Sequence, residues 1–225
     1  KKHINLNNIK GKTMYDYRIG DFISYFPKIL SEDMCDNIVV DLRENLITPK
    51  KEPDWVRMHM TSDNKNYKYL SECVLKVKQQ YLNERPTYAE KYHTVSGEND
   101  NDRLIEKWNS QDNEFNHSLK KILIQYYPTG SKMGMHVDNT GRRVARSRGK
   151  AERWEFKRKT EYPYSQLSCL LYLNDDYDGG EFVVADQEYK TEKGSAIIFP
   201  SNFMYPHMVR EITRGERWSL GVFLR

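Results

Sequence analysis

From Leu119 onward the chain is built of short apolar segments at strand period, each closed by turn residues, and this punctuation limits the possible folds more than any other feature. Segments 119–127, 134–137, 166–174, 181–185, 188–191, 195–199, 206–211 and 217–224 read as strands. PTG at 128–130, NDDYDGG at 174–180, EKG at 192–194 and TRG at 213–215 supply the turns between them. A first strand is expected near 21–26. Two amphipathic helices follow it. Ser31 can cap the first, with Glu32 and Asp33 at its positive end and Cys35, Ile38, Val39, Leu42 and Leu46 as its apolar stripe. The second, over 67–82, puts Leu70, Cys73, Val74, Val77 and Tyr81 on one face. Two helices ahead of a run of short strands predict an α+β protein, a sandwich or barrel of jelly-roll type with the helices packed on one sheet.

At 225 residues, one large domain is expected over 21–225 behind a polar arm at 1–20, with its core at about 119–225. Mean hydropathy is −0.86, yet 16 Tyr, 8 Phe and 4 Trp supply burial surface that a disordered chain would lack. Residues 83–118 read as a polar, irregular surface with a short helix around 102–108. No apolar run approaches the length of a membrane span. Cys35, Cys73 and Cys169 are too widely spaced for a zinc site or a disulfide framework and read as buried thiols. With a polar N-terminus, they point to a reducing, cytoplasmic setting. Net charge is +4, but segment 141–160 alone carries nine basic and two acidic residues, so the excess positive charge resides there.

The chemistry concentrates at four residues. His136 and Asp138, two apart, share a side if their segment is extended, and His207 lies 71 residues further on. Two imidazoles and one carboxylate on one face of an iron leave the other face open for O₂ and a co-substrate. Arg217 could then grip the far carboxylate of that co-substrate in two parallel hydrogen bonds. A hairpin turning at Arg214 would set residue 217 opposite 211 and place Arg217 roughly 13 Å along the strands from His207. Spacing alone leaves open that His136 is an ordinary histidine bonded to a neighbour.

The segments YYPTGSKMGMHVDN (126–139), QLSCLLYLNDDYDGGEF (166–182), GSAIIFPSNFMYPHMV (194–209) and ITRGERWSLGVF (212–223) resemble the prolyl 4-hydroxylase branch of the iron- and 2-oxoglutarate-dependent dioxygenases. FPKILSEDMCDNIV (26–39) resembles the helix that opens these domains. The resemblance implies a double-stranded β-helix holding Fe(II) through His136, Asp138 and His207. It also implies 2-oxoglutarate paired to Arg217 and supported by the hydroxyls of Tyr127 and Tyr172. O₂ is the implied second co-substrate and ascorbate the implied reductant. Oxidative decarboxylation of 2-oxoglutarate would be coupled to C–H hydroxylation, on a prolyl residue of a protein or peptide. Gly179, Gly180 and Glu181 match the family's turn into the next strand. Met133 stands where the family usually carries a tyrosine, and the 139–165 connection is long and basic; both departures lie on the substrate side.

Two other readings remain. One is a 2-oxoglutarate oxygenase of a free amino acid or of nucleic acid, the latter met by segment 141–160. That segment has a single Trp and no alternating aromatic platform, which disfavours nucleic acid. The other is a silent binding module on the same scaffold, which would have no need of an open iron site.

Overall fold

The computed structural model describes residues 18–45, 56–86, 122–138 and 166–224. Two helices lie on one face of a large antiparallel sheet, and a smaller sheet covers the other face. Strand β1 (Ser24–Phe26) leads into helix α1 (Glu32–Asn45); β2 (Val56–Met60) precedes α2 (Tyr67–Asn83). There follow β3 (Ile122–Pro128), β4 (Met133–His136), β5 (Leu167–Tyr172), β6 (Asp178–Gly179), β7 (Phe182–Val184) and β8 (Gln187–Tyr189). The chain closes with β9 (Ala196–Pro200), β10 (His207–Val209), β11 (Ile212–Arg214) and β12 (Glu216–Leu224). The large sheet runs β1-β9-β5-β12-β3-β2, the smaller β4-β10-β7-β8, and β11 pairs with β6.

The helices form where the apolar stripes predict them. Ser31 Oγ accepts from Met34 N at 3.3 Å, so the cap is made. Cys35, Ile38, Val39 and Leu42 of α1 and Leu70, Val74, Val77 and Tyr81 of α2 are buried against the large sheet. Strand alternation divides β12 between two layers. Trp218, Leu220, Val222 and Leu224 face the helices, while Arg217 and Ser219 face the smaller sheet, as do Tyr127, Leu170 and Tyr172. That second layer, closed by Phe182, Val184, Phe199 and Val209, houses the site. All three cysteines are buried and free. No helix among the described residues is long and apolar enough to cross a membrane.

Three expectations are corrected. The hairpin at Arg214 does not form: Arg217 pairs with Tyr127 in the large sheet, His207 with His136 in the smaller one. Ile212–Arg214 is a strand of its own on β6, where Gly179 and Gly180, at φ +75° and +69°, turn the chain tightly enough to receive it. Strand β2 was unforeseen. It is an edge strand carrying exposed Arg57 and His59, and its methionines are weak strand formers. Leu46, the arm at 1–17, the 102–108 helix and segment 141–160 lie outside the described residues.

Candidate metal and carboxylate site

His136 ends β4 and His207 begins β10, and the antiparallel register sets them directly opposite each other. Their ring centres are 4.2 Å apart. Strand β4 stops at His136, so Asp138 is placed by the bend beyond it rather than by strand parity. Its Oδ1 lies 3.6 Å from His136 Nε2 and its Oδ2 3.4 Å from His207 Nε2. One donor atom from each residue falls within 4.8 Å of the others, a set that could hold a metal ion.

The local hydrogen bonds aim the rings. His136 Nδ1 donates to Gly134 O at 2.9 Å, and His207 Nδ1 donates to Tyr205 O at 3.1 Å. A carbonyl can only accept, so both Nδ1 atoms carry protons, and Nε2 of each ring is the nitrogen turned to the carboxylate. Phe182 and Phe199 flank His207 at 5.6 and 5.1 Å between ring centres. Burial alone would raise the Asp138 pKa. The neighbouring His136 and His207 rings and the hydrogen bond from Ser168 outweigh it and hold the carboxyl well below its usual range. Burial works against a charged His136, but the Asp138 carboxylate and the Gly134 carbonyl raise its pKa overall. The donor set fits a divalent transition metal: two imidazole nitrogens and one ionised carboxylate, fewer ligands than such an ion takes in all.

Arg217 sits at the start of β12 with 1% of its surface exposed. Its guanidinium carbon is 5.0 Å from the centres of both the Tyr127 and Tyr172 rings. None of its three side-chain nitrogens finds an acceptor, and the Tyr172 hydroxyl is also without a partner. The Tyr127 hydroxyl donates to Met133 Sδ at 3.4 Å, a weak bond that a charged acceptor would displace. Burial pushes the Tyr127 phenol up to about 12, so it remains a donor at neutral pH. A buried cation without an acceptor costs several kcal/mol of desolvation, roughly, which a bound carboxylate would offset. Gly180 is required beside it: a Cβ there would come within 2.2 Å of Ile212 Cδ1 and 3.4 Å of Arg217 Cδ.

All six expected site residues thus meet in one layer, in two groups: His136, Asp138 and His207 at one end, Arg217, Tyr127 and Tyr172 at the other. Two contributors escaped the sequence reading. Ser168 Oγ donates to Asp138 Oδ2 at 2.6 Å; its only signal was a hydroxyl at an inward position of an apolar strand. Arg57 joins a cross-strand rung with Gln125, Ser219 and Tyr172, and its positive charge reaches His136 and Tyr127. That rung exists only because β2 forms.

Comparison with known proteins agrees with this geometry. The family model described as the 2OG-Fe(II) oxygenase superfamily matches residues 122–225. Those residues are similar to the 2OG-Fe(II) oxygenase superfamily. A PKHD-type hydroxylase of Pseudomonas putida is 31% identical over 109 residues, covering 46% of this chain and 42% of that protein. Prolyl 3-hydroxylase 2 of Mus musculus is 36% identical over 75 residues, 30% of this chain and 11% of that protein. The chain therefore spans less than half the length of either relative. In fold it is similar to a crystal structure of a Pseudomonas putida prolyl-4-hydroxylase, with TM-score 0.56, 16% identity, and coverage of 91% of this chain and 92% of that one. The superfamily implies Fe(II), 2-oxoglutarate and O₂, and the triad is where its iron would be held.

Proposed function

We propose that this chain is an Fe(II)- and 2-oxoglutarate-dependent hydroxylase of prolyl residues in a protein or peptide, working as one catalytic domain over 21–225 on a double-stranded β-helix core. The observation that carries the reading is the buried Arg217, its three nitrogens without an acceptor, in the same interior layer as the His136, Asp138 and His207 triad. His136, Asp138 and His207 would hold the iron. Arg217 would bind the distal carboxylate of 2-oxoglutarate through a forked pair of hydrogen bonds, with the Tyr172 hydroxyl as a further donor. Tyr127 would turn from Met133 Sδ to the same carboxylate. When bound, the iron and 2-oxoglutarate supply oxidation by O₂, with succinate and CO₂ as co-products. The protein residues orient the two co-substrates and keep water from the reacting centre. Ascorbate would keep the iron ferrous.

The prolyl substrate rests on the names of the relatives, which include a prolyl 3-hydroxylase and a prolyl-4-hydroxylase and so differ over the ring carbon. Met133, whose Sδ accepts from the Tyr127 hydroxyl, stands where the family usually carries a tyrosine. The test is a proline-containing peptide library incubated with Fe(II), 2-oxoglutarate and ascorbate, read by mass. A gain of one oxygen on proline, stoichiometric with succinate, supports the reading. Succinate release with oxygen delivered only to free amino acids or oligonucleotides would replace the substrate. No succinate under any condition would reject the enzyme.

A further inference from the structure

Asp138 lies two residues beyond the end of β4, so pairing with β10 does not fix its carboxylate. Two serines do. Ser168, on the inward face of β5, donates to Asp138 Oδ2 at 2.6 Å. Its Oγ lies 2.8 Å from Ser201 Oγ, and both serines are 1% exposed. Because an ionised carboxylate can only accept, Ser168 spends its one proton on Asp138, and Ser201 must donate to Ser168. The chain therefore runs one way, Ser201 to Ser168 to Asp138, and each bond polarises the next. Ser201 is itself anchored, its backbone N–H donating to Gln166 O at 2.9 Å. It also lies on the connection from β9 to β10 that carries His207.

We infer that Ser168, backed by Ser201, is a positioning residue that fixes the Asp138 carboxylate for metal binding and couples it to the segment bearing His207. This rests on the metal site proposed above. Oδ2, already accepting a short charge-assisted bond, is the poorer donor, which favours binding through Oδ1 alone. One-oxygen binding is what keeps positions on the metal free for a chelating co-substrate and O₂.

Co(II), a spectroscopically visible stand-in for Fe(II), tests this directly. Its affinity and visible absorption are measured for the wild-type chain and for Ser168→Ala, Ser168→Thr, Ser201→Ala and Asp138→Ala, each checked for folding by circular dichroism. Loss of a hydrogen-bond partner to a metal-binding carboxylate typically weakens metal affinity by about 10–100-fold. Ser168→Ala should show that loss with a changed Co(II) spectrum, Ser168→Thr should restore both, and Ser201→Ala should weaken binding by less than about tenfold. Wild-type affinity and spectrum in a folded Ser168→Ala would overturn the inference. If Ser168→Ala does not fold, Ser201→Ala decides, and an unchanged affinity and spectrum there overturns it equally. Asp138→Ala separates the two levels: undiminished Co(II) binding in that variant would reject the metal site itself.

Discussion

Arg217 lies directly across the β12–β3 pair from Tyr127, its guanidinium carbon 5.0 Å from that ring, yet none of its nitrogens is hydrogen-bonded. Stacking on two phenol rings contributes about 2 kcal/mol or more per contact when desolvated. It offsets part of the desolvation of a fully buried cation but satisfies none of its N–H donors. The arrangement therefore favours a ligand over the free protein.

Replacing Arg217 by Met tests the imbalance from both sides. Removing a buried charge that has no partner should leave the ligand-free protein as stable as before, or raise its melting temperature. The same change should weaken 2-oxoglutarate binding by about 100-fold or more, since breaking a buried charge pair costs about 3–5 kcal/mol. Thermal denaturation and titration give the two numbers. A lower melting temperature with unchanged 2-oxoglutarate affinity would mean that Arg217 serves the fold.

Tyr172→Phe removes a hydroxyl that finds no partner in the free protein. No loss of melting temperature is expected. In the complex that hydroxyl would donate to a carboxylate, a bond contributing about 1.5–3 kcal/mol, so affinity should fall by about 10–100-fold. Isothermal titration of the variant checks this, and an unaltered dissociation constant would remove Tyr172 from the site.

Gly180→Ala should act on the fold and the site together. At φ +69° a side chain is strained, and the new Cβ would overlap Ile212 Cδ1, crowd Tyr177 Cε2 and come into contact with Arg217 Cδ. Destabilisation of about 1–3 kcal/mol by chemical denaturation is expected, with weaker 2-oxoglutarate binding in the fraction that folds. Full stability in this variant would show that the β6–β7 turn moves freely away from Arg217.

Much of this was legible in the sequence because local rules carried it. The apolar stripes of α1 and α2 reappear as buried faces, and His136, Asp138, His207 and Arg217 all turn inward. What was not legible is non-local. Arg217 was assigned to the wrong partner strand because chain order suggested a hairpin, whereas the sheet closes β12 between β3 and β5. Ser168 reads as one small residue in an apolar strand until Asp138 and Ser201 are brought to it from 30 and 33 residues away. Strand β2 owes its pairing to β3, more than 60 positions along the chain, and its own residues barely favour a strand.

The most direct measurement is anaerobic addition of Fe(II) and 2-oxoglutarate, watched by visible absorption. Chelation of iron by the 2-oxo acid produces a metal-to-ligand charge-transfer band that neither component gives alone. Wild-type protein should develop the band at one equivalent of iron. Asp138→Ala and His207→Ala should not, and Arg217→Met should require far more 2-oxoglutarate to reach it. A wild-type protein that binds neither iron nor 2-oxoglutarate, or a band that survives unchanged in all three variants, would contradict the assignment of the site.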